Sequence, residues 1–336
     1  LTLGASHTCL GKCSVKLATL LLVAAICGTG AQSKSAIVQS PQAHYKPTVL
    51  NGRDLNASLQ AGAYSYWVGG HLYGAPQNTR SIFPAASLLG NLQQINAGGA
   101  SFFMSLGDAI RFCTPPHYAM FKKSFANHLE MPLLNAVGNH DVAVRARYLE
   151  QFPGETSHVF AHGKTLHLTL DAEEDPGRIS GLQLRSFLAA LRIAQSDPAF
   201  ASVAIYSHKL LWAGGRPKFK VVFDHMNSKD GYRDDDLFTT EVLPALRELG
   251  AKKQVIWFSG DIGCSHTLPL FYAEEPDVDL TWIATGIGDT EVDSILKVEV
   301  DGAGRMTPSV FRLDGKESKP LSHFSFNYWE QHFSKK

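Results

Sequence analysis

Leu133-Leu134-Asn135-Ala136-Val137-Gly138-Asn139-His140-Asp141 decides how this chain is read. The apolar run Leu133 to Val137 follows Met131-Pro132 and reads as a buried strand. Gly138 then lets the chain turn sharply. Asn139 offers a neutral amide oxygen suited to a hard or borderline divalent metal. His140 offers an imidazole that titrates near neutral pH. A metal ligand beside a proton carrier at a strand end points to metal-assisted hydrolysis. Alone, the string is also compatible with an ordinary polar turn.

Four further apolar runs end in the same fashion: Gly69-Gly70-His71, Gly107-Asp108, Ser207-His208 and Gly260-Asp261. The strands expected ahead of these endings are Tyr64–Val68, Ser101–Leu106, Leu133–Val137, Val203–Tyr206 and Gln254–Phe258. Helices are expected over Ala85–Ile95, His117–Leu129, Val142–Phe152, Gly181–Ala194 and Thr240–Leu249, the fourth with Ser180 and Gln183 as a capping box. Val159–Leu170 reads as a hairpin through His162-Gly163, and Ile295–Val300 with Ser309–Leu313 as another. Alternating strands and helices plus hairpins indicate an α/β fold with mixed sheets. In such sheets ligands bind outside the carboxyl ends of the strands. Parallel neighbours would therefore gather carboxylate, amide and imidazole donors suited to Mn, Fe, Zn or a similar ion.

The 336 residues are 44% hydrophobic, enough for a sizeable core. Lys+Arg and Asp+Glu are both 31, which argues against a broad nucleic-acid-binding surface. Lys12 and Lys16, the apolar run Leu17 to Cys27 and small residues up to Ala31 have the three-part pattern of a secretory signal. The apolar run is too short for a comfortable membrane span, so no transmembrane anchor is expected after cleavage. The expected organisation is a signal segment 1–31, a polar linker or N-terminal arm 32–62, one domain 63–318 and a C-terminal tail 319–336. Location is then periplasmic or secreted. Cys113 and Cys264 each lie a few residues beyond a candidate ligand, and a bracing disulfide and two free thiols are both open.

The ordered set Gly-x-His, Gly-Asp, Gly-Asn-His-Asp, a lone His after a strand and Gly-Asp-x-Gly resembles the calcineurin-like metallophosphoesterase superfamily. The likeness runs from about Tyr64 to Thr290. Leu170-Asp171-Ala172-Glu173 followed by Ile179-Ser180-Gly181-Leu182-Gln183-Leu184 is similar to the segment before the lone-His strand in many members. The resemblance implies a four-layer sandwich, with two mixed β-sheets face to face and helices outside. It also implies two metals bridged by Asp108 and a hydroxide that attacks phosphorus in line. Carried over, Asn139 and His208 serve the second metal and His71 serves the first, while Asp261, which departs from the family's residue at its position, is a candidate further ligand of the second metal through a carboxylate oxygen. His140 would contact the phosphate and assist the leaving oxygen.

Two motifs depart from the family pattern. Gly69 stands where Asp-x-His has its aspartate, and Gly260-Asp261-Ile262-Gly263 stands where Gly-His-x-His is expected. Both missing side chains belong to the first metal, so one firmly held ion is expected and the second is uncertain; His266 does not match the family spacing. Arg111, three residues past Asp108, is a candidate phosphate clamp or a surface ion pair. Lys209, Arg216 and Lys218 read as solvated, and Trp212 as either a stacking platform or core. The expected activity is hydrolysis of a small phosphate monoester or diester by metal-bound hydroxide. The alternatives are a related metallohydrolase acting on another bond, and a degenerate member that binds a phosphorylated or polysaccharide ligand without turnover. Oligomeric state is not encoded in any of these features.

Overall fold

The computed structural model describes residues 47–58, 62–232, 236–264 and 268–334. The expected signal segment, residues 32–46 of the expected arm and His266 lie outside the described residues. In chain order the elements are α1 (Leu55–Ser58), β1 (Tyr64–Gly69), α2 (Ala86–Gly90), α3 (Leu92–Ala97), β2 (Phe103–Ser105), α4 (Pro115–Ser124), β3 (Leu133–Asn135) and α5 (Arg145–Gln151). There follow β4 (His158–His162), β5 (Thr165–Thr169), α6 (Gly181–Ser196), β6 (Ser202–Ser207), α7 (Lys220–His225), α8 (Leu243–Gly250) and β7 (Gln254–Ser259). The chain closes with β8 (Leu270–Glu274), β9 (Leu280–Thr285), β10 (Ser294–Val300), β11 (Met306–Arg312) and α9 (Phe326–Phe333).

Among the described residues the strands form two mixed sheets, ordered β11-β10-β1-β2-β3 and β4-β5-β6-β7-β9-β8. β1, β2 and β3 run parallel, as do β5, β6, β7 and β9, while hairpin partners run antiparallel. Strand side chains alternate between faces, and here both faces are buried. Tyr66, Val68, Met104, Ala204, Tyr206, Ile256 and Phe258 face the core between the sheets. Val203, Ile205, Val255 and Trp257 face the layer of α6, α8 and α9. Trp67, Phe103 and Leu133 face the layer of α2 to α5. That is the expected four-layer sandwich, and it explains why these strands read as unbroken apolar runs rather than alternating ones.

Several elements differ from expectation for local reasons. The first expected helix breaks at Asn91, whose side chain donates to the Leu313 carbonyl and ties the layer to the end of β11. Ser180 makes no side-chain cap; Gln183 instead brackets Asp171, accepting from its N–H at 2.8 Å and donating to its carbonyl at 3.0 Å. The stretch 212–238, long and charged, contains α7 and packs Trp212, Phe219 and Val222 into the core. Beyond residue 318, α9 buries Trp329, whose indole N–H donates to the Leu270 carbonyl on β8.

Candidate metal centre

Because β1, β2 and β3 are parallel within one sheet, and β6 and β7 within the other, their carboxyl ends fall at one edge of the sandwich. The backbone there is stitched across: His71 N–H donates to Gly107 O at 3.0 Å and Gly260 N–H to His208 O at 2.8 Å. His208 Nδ1 donates to the Leu106 carbonyl of the opposite sheet at 2.8 Å. The two sheets thus meet where the five expected ligand positions are, and His71, Asp108, Asn139, His208 and Asp261 are brought together.

Two of these residues hold unusual backbone. His71 has φ 55° and Asp108 φ 53°, the left-handed region that costs a side-chain-bearing residue energy. Both are anchored: His71 Nδ1 donates to Ile287 O at 2.9 Å, and Asp108 Oδ1 accepts the His140 N–H at 3.0 Å. Gly138 matters here less for turning than for space. A Cβ on it would lie 2.3 Å from Asp108 Oδ1. Asp141, the last residue of the motif, is internal scaffolding; its carboxylate accepts from the N–H groups of Ala109 and Gly138 and from Asn135 Nδ2.

A carbonyl can only accept, so both buried imidazoles carry their proton on Nδ1 and turn a bare Nε2 toward the centre. His208 Nε2 lies 3.2 Å from Asn139 Oδ1, 3.4 Å from Asp108 Oδ2 and 3.7 Å from Asp261 Oδ1. His71 Nε2 lies 3.8 Å from Asp108 Oδ2. Lone pairs therefore face lone pairs in a buried space. Burial drives the pKa of His208 well below the usual range and that of His71 to about 3, so the imidazoles do not relieve the contact by taking up a proton. Burial, with Asp141 and Asp261 nearby, drives Asp108 upward, and burial lifts Asp261 to about 7. Asp261 Oδ2 is buried without a partner. This is the electrostatic signature of a place for a cation.

The donor types, two imidazoles, two carboxylates and an amide, are ones that divalent ions accept. Each imidazole donates its second nitrogen to a backbone carbonyl, the usual outer support of a metal-bound histidine. Ligand atoms around an ion with ~2.1 Å bonds stand roughly 3.4 Å apart, and the spacings about His208 bracket that figure. Among the described residues, no three His, Cys, Asp or Glu side chains close around one point as a finished cage; the donors are gathered but not drawn tight. The two glycines at the departures from the expected motifs are closely packed. A Cβ on Gly69 would point at Ile295 Cγ2, 2.8 Å away, and at Phe103, not into the centre. Gly263 has φ +94° and would place a Cβ 2.6 Å from the Gly286 carbonyl. The two departures from the family pattern are built into the surrounding structure.

His140 stands half-buried at the mouth. Its Nδ1 donates to the Arg111 carbonyl at 2.6 Å, which leaves Nε2 facing the Tyr73 hydroxyl at 3.3 Å. Arg111 does not form a surface ion pair: Nη1 donates to Ala75 O at 2.9 Å, the guanidinium lies over Tyr73, and Nε has no partner. Cys113 and Cys264 are not joined in a disulfide, correcting that alternative; Cys113 Sγ sits 2.8 Å from the Tyr118 hydroxyl. Trp212 is core, its indole N–H on Ser259 Oγ. Arg216 and Lys209 are buried, contrary to the solvated reading. Arg216 pairs with Glu275 at 3.0 Å and Lys209 with Glu173 at 3.6 Å. Tyr73, Glu173 and Lys209 are the neighbours of the centre that sequence reasoning missed. Tyr73 follows His71 by two positions but belongs to no motif, and a single lysine between His208 and Leu210 does not reveal the carboxylate that it pairs with in the interior.

No family model matches the chain, and no curated protein matches it in sequence. Among solved structures, the purple acid phosphatase PPD1 of yellow lupin (Lupinus luteus) seeds matches with a TM-score of 0.54 at 11% identity, over 78% of this chain and 53% of its own. The NAD nucleotidase of Haemophilus influenzae matches with a TM-score of 0.41 at 14% identity, over 74% of this chain and 49% of its own. The chain thus spans about half the length of each. The fold argument rests on the first of these together with the two-sheet topology: the chain has a metallophosphoesterase-like four-layer sandwich fold, shared with that phosphatase. Among the described residues no helix is long and apolar enough to cross a membrane.

Proposed function

We propose that this chain is a metal-dependent phosphoesterase that hydrolyses a small phosphate monoester or diester, in the periplasm or outside the cell. The reading rests above all on the gathering of oxygen donors about the bare Nε2 atoms of His71 and His208. Asp108, Asn139, His208 and Asp261 would hold the divalent ion, with His71 across Asp108. When bound, such an ion supplies Lewis acidity toward the phosphoryl oxygens and acidifies the attacking water.

The chain's own groups do the rest. Asp108 is fixed through Oδ1, so Oδ2 keeps one direction toward both imidazoles. His140 is fixed through Nδ1, so a proton passed to a leaving oxygen must travel by way of Nε2, beside the Tyr73 hydroxyl. Arg111 offers donors beside Tyr73 for a phosphoryl oxygen. The Asp108→Ala variant should lose at least about a hundredfold in hydrolysis of a generic aryl phosphate, since even outer supports of metal ligands are worth 10–100-fold. Its circular dichroism should match wild type. Undiminished hydrolysis would count against the assignment.

The closed positions at Gly69 and Gly263 favour a second reading, ligand binding without turnover. Tight binding of a phosphate ester with no phosphate release would select it.

A further inference from the structure

An aromatic ring at the mouth of the centre is left open. Phe112 is 41% exposed, although its neighbour Arg111 is only 9% exposed. The Arg111 guanidinium carbon lies 5.1 Å from the Phe112 ring centroid and 5.5 Å from that of Tyr73. Tyr73, Arg111 and Phe112 thus form a row of planar groups held by cation–π contacts. The inner end of the row is tied to the centre: the Tyr73 ring centroid is 4.1 Å from that of His71 and 4.9 Å from that of His140. The outer end, Phe112, meets solvent.

The row is fixed in place without any ligand. Arg111 Nη1 donates to Ala75 O at 2.9 Å, and the Ala75 N–H donates to Asp289 Oδ2 at 2.9 Å. The Phe112 ring packs edge-to-face with His117, centroids 5.3 Å apart, and His117 Nδ1 lies 2.7 Å from Thr114 Oγ1. Arg111 Nε is buried with no hydrogen-bond partner. A buried guanidinium N–H without an acceptor is costly and suits the oxygen of an anion. An exposed apolar ring by itself is ordinary; this one adjoins that donor and is held at a set distance from it.

We propose that Phe112 is a specificity-determining residue, which stacks on the leaving group and selects phosphate esters of phenols over those of aliphatic alcohols. This rests on the phosphate reading of the centre given above. A phosphoryl group that enters the centre leaves the rest of its ester at the mouth, where Tyr73, Arg111 and Phe112 stand. The spacing sets the class. Aromatic pairs stack with centroids roughly 4.5–7 Å apart, and the phosphoryl group on Arg111 is a single side chain away from Phe112. A ring joined directly to the ester oxygen meets both, whereas a base carried beyond a sugar reaches past Phe112. An aliphatic group buries apolar area there but gains no ring–ring contact.

The test is calorimetric titration of the full chain, loaded with Mn²⁺, with benzylphosphonate and with ethylphosphonate. In both a methylene replaces the ester oxygen, so neither is hydrolysed, and they differ in the ring. Wild type should bind benzylphosphonate more tightly, on the order of tenfold. Phe112→Leu keeps apolar bulk without the ring and should bring the two ligands within about twofold of each other. Phe112→Tyr keeps the ring and should retain the preference. Loss in the first variant with retention in the second supports the proposal. Equal weakening of both ligands in Phe112→Leu, as a mere prop for Arg111 would give, overturns it; so does a wild type without preference. Binding of neither phosphonate would sink the phosphate reading and the proposal together. The predicted preference with no hydrolysis of phenyl phosphate would sink the phosphoesterase reading alone and leave the proposal standing.

Discussion

At the residue scale, the centre depends on how few atoms fit around Asp108. Gly138→Ala would drive a methyl group into Asp108 Oδ1. The carboxylate is held by the His140 N–H at 3.0 Å. We expect metal affinity to fall at least tenfold, with a loss of about 1–3 kcal/mol in stability, typical of overpacking. Calorimetric titration beside a urea melt reads both, and an unchanged affinity would show that Asp108 is free to move. Tyr73→Phe deletes only the hydroxyl facing His140 Nε2. It should lower kcat several-fold with little change in KM, while equal changes in both would assign the hydroxyl to substrate binding. The residues of the motifs were legible because each follows an apolar run directly. Tyr73 and Lys209 were not. Their importance comes from partners distant in sequence, Tyr73 from His140 and Lys209 from Glu173.

At the element scale, the five strands ahead of the ligands were legible for the same reason. β8 and β9 were not, since no motif follows them and a short charged turn separates them. Their role is structural: β9 extends the larger sheet beside β7, and β8 carries Trp329 of α9. Glu275, in the turn between them, is a buried hub. Its carboxylate accepts from Arg216, Lys218, Arg247 and the Trp282 indole, fastening the segment after His208 to this end of the sheet. Removing it in Glu275→Ala leaves the Arg216 guanidinium buried without its anion. Breaking a buried pair in this way costs about 3–5 kcal/mol. Chemical denaturation should show that loss, and a change below 1 kcal/mol would mean that Arg216 finds water or another acceptor. The expected capping box failed for a related reason: Gln183 is more useful holding Asp171, and thereby the loop that carries Glu173, than closing a helix end.

At the scale of the whole molecule, the core between the sheets contains imidazoles that no motif explains. His158 is buried with neither ring nitrogen hydrogen-bonded, and burial lowers its pKa to about 3. The unfolded chain protonates the same ring near pH 6.5, so between these values the unfolded state binds the extra proton. Its contribution to stability is therefore complete above about pH 6.5 and is lost as pH falls toward 3, by about 1.4 kcal/mol per pH unit. His158→Leu should flatten that acid limb when urea midpoints are compared at pH 7 and pH 4.5. An unaltered slope would place the acid sensitivity elsewhere. The four-layer architecture itself was legible through strand ends and hairpins, whereas the packing of Ile295 against Gly69 and of the Gly286 carbonyl against Gly263 was not, because both partners are distant in sequence or lie outside any motif.

The central claim, that donors gathered at these strand ends make a hydrolytic metal centre, is tested most directly by one rate. Phosphate release from an aryl phosphate should be measured for the purified chain with added Mn²⁺ or Zn²⁺, after chelation, and after restoring the ion. The account predicts release that chelation abolishes and the ion restores. Release that is indifferent to chelation, or tight metal binding with no release at all, would contradict it.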